Sequence, residues 1–139
     1  MRTPTLAVLA AVLAPLLALA QGGPGRGPPP DRLYDVATVT SVSGTVASEQ
    51  RQDRGRGHRG VHLSLDTPAG ALDVHLGPDF FVDGQPLKLA VGDQVTVTGS
   101  KVTFEGAPAL VARSVSRGAE TLVLRDEAGR PRWSGPRGR

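Results

Sequence analysis

Two histidines, His62 and His75, are the side chains of this sequence whose spacing best suits joint chemistry. Each lies in a short run in which polar and apolar residues alternate, at 61–66 and at 71–76, and a Thr-Pro-Ala-Gly segment at 67–70 separates the two runs. Alternation with a period of two is typical of half-buried strands, and a turn that contains Pro and Gly between two such runs predicts a β-hairpin. An antiparallel hairpin brings the two imidazoles towards each other.

The register of this hairpin decides whether the histidines can share a ligand. A pairing of Asp66 with Ala71 also pairs His62 with His75 and places both on the polar face of the hairpin, on the same side as Asp73. Directly opposed residues have Cβ atoms about 4.5–5.5 Å apart, which is close enough for two imidazoles to bind one metal ion. Nitrogen-rich sites suit zinc or copper(II). His62 and His75 are therefore a candidate metal site, with Asp73 as a carboxylate ligand.

His58, in the loop before the hairpin, is a candidate third nitrogen ligand. The alternative is that His62 and His75 are only solvated side chains on an exposed polar face. Copper(I) binding through methionine sulfur is not expected, because the only methionine is Met1.

Enzymatic chemistry is not expected from this sequence. Ser64, Asp73 and His75 contain the side-chain types of a hydrolase triad, but Asp73 and His75 would point the same way from one strand. No pair of backbone donors for an oxyanion is evident beside them. The chain is therefore predicted to act by binding.

An arginine-rich loop at 50–60, QRQDRGRGHRG, precedes the hairpin. Together with the two histidines, its Arg56, His58 and Arg59 form the candidate ligand-binding surface, which suits an anionic ligand or an envelope protein partner. Single-stranded nucleic acid is a weaker alternative, because such sites need aromatic stacking platforms. The polar face of the hairpin offers none, and residues 61–112 contain six acidic and only two basic side chains.

The rest of the sequence predicts the scaffold. Further strands are expected at 33–47, 94–102 and 109–116, with a short sixth strand at 120–125, and a helical turn at 78–86 in which Phe80, Phe81 and Val82 plug the barrel. A bulge is expected at Gly44. This count and order predict an all-β fold, a five-stranded Greek-key barrel (OB-fold) with a short helical turn between strands 3 and 4. A β-sandwich fragment and an SH3-like barrel are the alternatives.

The ends of the sequence predict export. Residues 1–20 resemble a secretory signal peptide, and the apolar run is too short to anchor the protein stably in a membrane. The expected organisation is a signal peptide at 1–20, a Gly/Pro-rich linker at 21–32, the OB-fold domain at 33–125 and a basic tail at 126–139, in which Trp133 clamps the tail to the barrel. The predicted compartment is periplasmic or extracellular, and with no cysteine the fold cannot depend on disulfides.

Four elements carry a resemblance to known proteins: GTV at 44–46, VHLGP at 74–78, LAVGDQVTVTGSKV at 89–102 and LVLRDEAGRPRW at 122–133. They resemble a family of small exported bacterial OB-fold proteins, many of them uncharacterised. The resemblance implies the fold and the compartment. It implies no set of functional residues.

Overall fold

A computed structural model of the chain describes residues 29–55 and 57–134. The predicted signal peptide, linker residues 21–28 and Arg56 lie outside these ranges, as do residues 135–139. The strands are β1 (Val39–Asp53), β2 (Arg59–Thr67), β3 (Gly70–Pro78), β4 (Gln94–Phe104), β5 (Ala107–Arg117) and β6 (Glu120–Val123). One short helix, α1 (Asp79–Val82), follows β3, and no helix in the described ranges is long and apolar enough to cross a membrane.

The first five strands form a closed ring. β1 pairs with β2 and β4, β2 pairs with β3, and β4 pairs with β5, all antiparallel. A short parallel pairing of β3 with β5, which includes His75 opposite Val111, closes the ring. This strand order and the helix between β3 and β4 are those of the OB-fold, so the predicted fold class is confirmed. β6 adds to the outer edge of β5.

The alternating apolar residues fill the interior of the ring. Leu63 and Leu65 from β2, Val74 from β3 and Val97 from β4 are at most 1% exposed and belong to one continuous core cluster. Burying one such aliphatic side chain contributes about 1.5–3 kcal/mol. The polar residues between them are thereby held on the outer surface of the barrel, and this fixes the face on which the histidines lie.

The first strand differs from the prediction. Two 3-10 turns occupy Pro30–Leu33 and Val36–Thr38, and β1 begins only at Val39. Val36, which falls inside the strand predicted at 33–47, belongs to the second turn and is 57% exposed. β1 also extends to Asp53 and β2 begins at Arg59, so about half of the predicted arginine-rich loop is strand.

The irregularity in β1 is also at another position than the predicted bulge. It lies between Val46 and Ser48 in the pairing with β2, not at Gly44. Gly44 is required for a different reason, because a Cβ atom there would collide with the backbone oxygen of Asp66 on the neighbouring strand.

The helical turn plugs the barrel only in part. Phe81 and Val82 pack against the core, but Phe80 is 61% exposed and was wrongly predicted to be buried. A four-residue helix points successive side chains in different directions, so three consecutive apolar residues cannot all face inward.

Residues 126–134, predicted to be part of a basic tail, fold back onto the barrel. Arg125 bridges to Pro131, and a 3-10 turn follows at Arg132–Ser134. Trp133 packs against the core and lies 5.3 Å, centroid to centroid, from the ring of Phe81. Trp133 therefore clamps this segment to the barrel, as the sequence predicted.

Candidate ligand-binding site

The β2–β3 hairpin positions the two histidines. Its register pairs Asp66 with Ala71 and His62 with His75, as the alternation predicted. The apolar residues between them point into the core, so His62, His75 and Asp73 lie together on the outer face of the barrel.

The histidines on this outer face are largely buried, so the alternative of two solvated imidazoles does not hold. His75 is only 5% exposed. Its ring stacks on that of His62, with centroids 5.0 Å apart and an angle of 11° between the ring planes. The ring of Phe104 also packs against it in a T-shaped arrangement, with centroids 4.7 Å apart. Phe104 ends β4, and the β3–β5 pairing brings the β4–β5 hairpin over His75. Only closure of the ring brings these residues together.

Asp73 lies between the two imidazoles. Its Oδ1 is 3.4 Å from Nδ1 of His62, and its Oδ2 is 3.8 Å from Nε2 of His75. The interaction with His62 is the main cause that lowers the pKa of Asp73 below its usual range, against the opposing effect of burial. Asp73 is therefore an anion that faces two imidazole rings.

Burial also changes the chemistry of His75. Desolvation, assisted by the neighbouring His62, lowers the pKa of His75 from 6.5 to about 4. The imidazole is consequently neutral at neutral pH, with one ring nitrogen carrying a lone pair. The Nε2 atoms of both His62 and His75 are buried without a hydrogen-bond partner among the described residues.

The other predicted site residues lie apart from this pair. The ring of His58 packs edge-on against Phe80, with centroids 5.5 Å apart, and so does not supply a third nitrogen to the histidine pair. Arg59 is exposed at the start of β2. Arg56 lies outside the described residues.

A cleft of about 740 Å³ opens beside the histidine pair. Its walls are the loop between β1 and β2, the ends of the hairpin and the segment after β6. His58 and His75 both line it, as does Arg54 of the predicted arginine-rich loop. Two further lining residues, Phe80 and Trp133, were not predicted to belong to the ligand site. No sequence signal linked them to it, because they come from segments far from the loop and from each other.

The charged side chains that line the cleft differ in whether they have a partner. The carboxylate of Asp31 pairs with Arg125, and that of Asp53 accepts a hydrogen bond from the backbone N–H of Gly55 at 2.7 Å. Arg54, by contrast, makes no ion pair within residues 29–55 and 57–134. Among the described lining residues, Arg54 is therefore a cation without an ion-pair partner, and it lies beside aromatic and proline surfaces and next in sequence to the carboxylate of Asp53.

Comparison with known proteins supplies a family. No curated protein matches this sequence. Among solved structures, the N-terminal domain of PriB from Thermoanaerobacter tencongensis, described as dimeric, has a TM-score of 0.47 at 17% identity, over 60% of this chain and 99% of that domain. The assignment of the OB-fold rests on the strand order of the chain itself.

The model of one protein family matches residues 38–122, which is more than half of the chain and covers β1 to β5. The matched range includes VHLGP and ends before LRDEAGRPRW. The strand order of the chain confirms the OB-fold part of the expected resemblance, while a named family replaces the uncharacterised one that was expected. The chain belongs to the MamS/MamX magnetosome protein family.

Proposed function

We propose that this chain is a non-enzymatic, exported binding module with a magnetosome-related role. Its ligand is an anionic, partly apolar segment of a partner protein, held in the cleft between the β1–β2 loop and Trp133. The family match supports the magnetosome-related role. The predicted signal peptide at 1–20 supports export.

The observation that carries the proposed ligand is the composition of the cleft. Phe80 presents an exposed ring and His58 packs against its edge, while Pro30 and Pro78 form apolar walls. Aromatic and proline surfaces bind extended polypeptide, and charged groups at the rim give such binding its specificity. Arg54 makes no ion pair within the described residues, and its guanidinium therefore favours an acidic side chain on the ligand.

Site-specific photo-crosslinking in the cells that produce the protein tests this proposal. A photoreactive amino acid replaces Phe80 in the full chain, and the matched control replaces Val91, which is 67% exposed and does not line the cleft. We expect adducts to an acidic protein segment from position 80 and none of them from position 91. Equal adduct patterns from both positions, or adducts only to nucleic acid, contradict the proposal.

Peptide titration followed by NMR tests the role of Arg54. An acidic peptide with aromatic residues should shift the resonances of cleft residues, and the same peptide with lysine in place of the acidic residues should not. Hydrogen bonds to charged groups contribute about 1.5–3 kcal/mol, so Arg54→Gln should weaken binding by at least about 10-fold. Arg130→Gln, an exposed arginine outside the cleft, is the control and should leave the affinity unchanged.

A further inference from the structure

We propose that His62, Asp73 and His75 form a binding site for one divalent transition-metal ion of the zinc or copper(II) class. This site shares His75 with the wall of the proposed ligand cleft, but it is inferred from the histidine pair alone and does not rest on the proposed function.

The three side chains converge on one small volume. Each of the three side chains offers one ligand atom, and these atoms all lie within 4.8 Å of one another. Two come from directly paired residues of adjacent strands, and the third comes from β3 two residues before His75. Within residues 29–55 and 57–134, this is the only group of three His, Cys, Asp or Glu side chains that converges in this way.

The second observation is independent of the first, and it concerns hydrogen bonding. The Nε2 atoms of both histidines are buried without a partner in the described part of the chain, and His75 is 95% removed from solvent by Phe104 and His62. Leaving a buried polar atom unsatisfied is costly, because its hydrogen bond to water is lost and not replaced. A cation bound at the Nε2 atom of His75, which lies 3.8 Å from Oδ2 of Asp73, would give this nitrogen a partner.

The ligand types select the class of ion. Two imidazole nitrogens and one carboxylate oxygen suit zinc, copper(II) or nickel better than magnesium or calcium, which prefer oxygen alone. Three protein ligands leave at least one coordination position for water or for an external ligand.

The present geometry needs a local adjustment on binding. Zinc–nitrogen distances are about 2.0–2.1 Å, so tetrahedral ligand atoms lie about 3.3 Å apart. The oxygens of Asp73 already lie 3.4 and 3.8 Å from the nearest ring nitrogens, and the separation between the two histidine nitrogens, which is within 4.8 Å, must also fit this distance. The two rings are nearly parallel, and because an imidazole binds a metal in its own plane, they must also tilt. Both changes are side-chain rotations, and the paired strands can keep their register.

Zinc titration of the full chain, followed by the imidazole resonances in NMR, tests the site. We expect the resonances of His62 and His75 to shift and to saturate at one equivalent of Zn²⁺, while those of His58 do not move. Equal shifts of all three histidines, or no saturation at one equivalent, would overturn the proposal. Co²⁺ provides a second probe, because its visible absorption reports the coordination number.

Matched variants separate metal ligation from folding. Asp73→Asn removes a ligand charge from the outer face of the hairpin, and Asp66→Asn removes the same charge from the same face without touching the cluster. His62→Phe keeps a ring stacked on His75 but removes the nitrogen. We expect Asp73→Asn and His62→Phe to weaken Zn²⁺ binding by at least about 10-fold and Asp66→Asn to leave it unchanged. Circular dichroism confirms that each variant is folded, and wild-type affinity in a folded His62→Phe protein would refute the site.

Discussion

Arg125 shows how a single charged residue can be held in the interior of this small protein. It is 2% exposed, yet its guanidinium donates to the backbone oxygens of Ala112 and Gly129 and to the carboxylate of Asp31. Its Cζ atom also lies 5.1 Å from the centroid of the Trp133 ring, within range of a cation–π interaction. The planar fork of arginine can serve all these partners together, which the single ammonium of lysine cannot.

We therefore expect Arg125→Met to lower the free energy of unfolding by about 2 kcal/mol. Breaking a fully buried pair costs about 3–5 kcal/mol, but Asp31 is 43% exposed and can be rehydrated. Arg125→Lys should recover only part of this loss. Urea denaturation measures the effect. The exposed control Arg130→Met should lose less than about 0.5 kcal/mol, and an equally small loss for Arg125→Met would contradict the interpretation.

The buried imidazole of His75 makes stability depend on pH. Its pKa is about 4 in the folded protein and 6.5 in the ordinary reference state. Between these values the unfolded chain binds a proton that the folded chain does not, so the free energy of unfolding must fall as the pH falls from about 6.5 to about 4. We expect a loss of about 2 kcal/mol over this window, with a further loss at lower pH as Asp73 is protonated.

Denaturation in urea at several pH values between 7.5 and 4 measures this dependence. His75→Phe, which keeps an aromatic ring under Phe104, should remove most of the slope in that window. A slope that is unchanged in this variant would mean that another group carries the pH dependence.

At the scale of elements, the turn of the β4–β5 hairpin holds a residue other than glycine in an unfavourable backbone conformation. Its two turn residues, Glu105 and Gly106, have positive φ angles of 52° and 82°. Two-residue turns of this kind favour Asn-Gly, because asparagine tolerates the left-handed region better than glutamate. We expect Glu105→Asn to raise the free energy of unfolding by about 0.5–1 kcal/mol in thermal or urea denaturation. Glu105→Gln removes the charge without changing the backbone preference and should give no gain.

The sequence predicted the elements where the signals were local. The β2–β3 hairpin and its register follow from the alternation of polar and apolar residues and from the turn at 67–70. All of these signals lie within twenty consecutive residues of the sequence. The predicted start of the first strand was wrong. Valine recurs at every third position, at Val36, Val39 and Val42, and this spacing fits a 3-10 turn as well as an irregular strand. Local periodicity cannot decide between these two structures.

At the scale of the whole molecule, the burial of the candidate site could not be predicted. The pairing of His62 with His75 is local, but the contact with Phe104 exists only because β3 and β5 join in parallel and close the ring. Likewise, the cleft needs Arg54, Phe80 and Trp133 from segments far apart in the sequence. Such contacts depend on the closure of the fold, which residue alternation does not encode.

The segment after β6 contributes to the stability of the whole domain through Trp133. Its ring contacts Phe81 and lies so close to Gly77 that a Cβ atom there would collide with it. Removing a large aromatic side chain from a core costs about 3–5 kcal/mol. Because Trp133 is only partly buried, we expect about 2 kcal/mol for Trp133→Ala. Thermal denaturation compares it with Arg132→Ala, an exposed neighbour that should change the stability by less than about 0.5 kcal/mol.

The two ends of the described chain meet at one corner of the molecule. Pro29 and Trp133 both line the cleft, and Asp31 is bonded to Arg125. A tag or linker attached through residues 21–28 or 135–139 is consequently tethered close to the cleft, at a local concentration of about a millimolar. An affinity measured on a tagged protein then reports a competition between the free ligand and the attached sequence, so the same domain can give different dissociation constants with different tags.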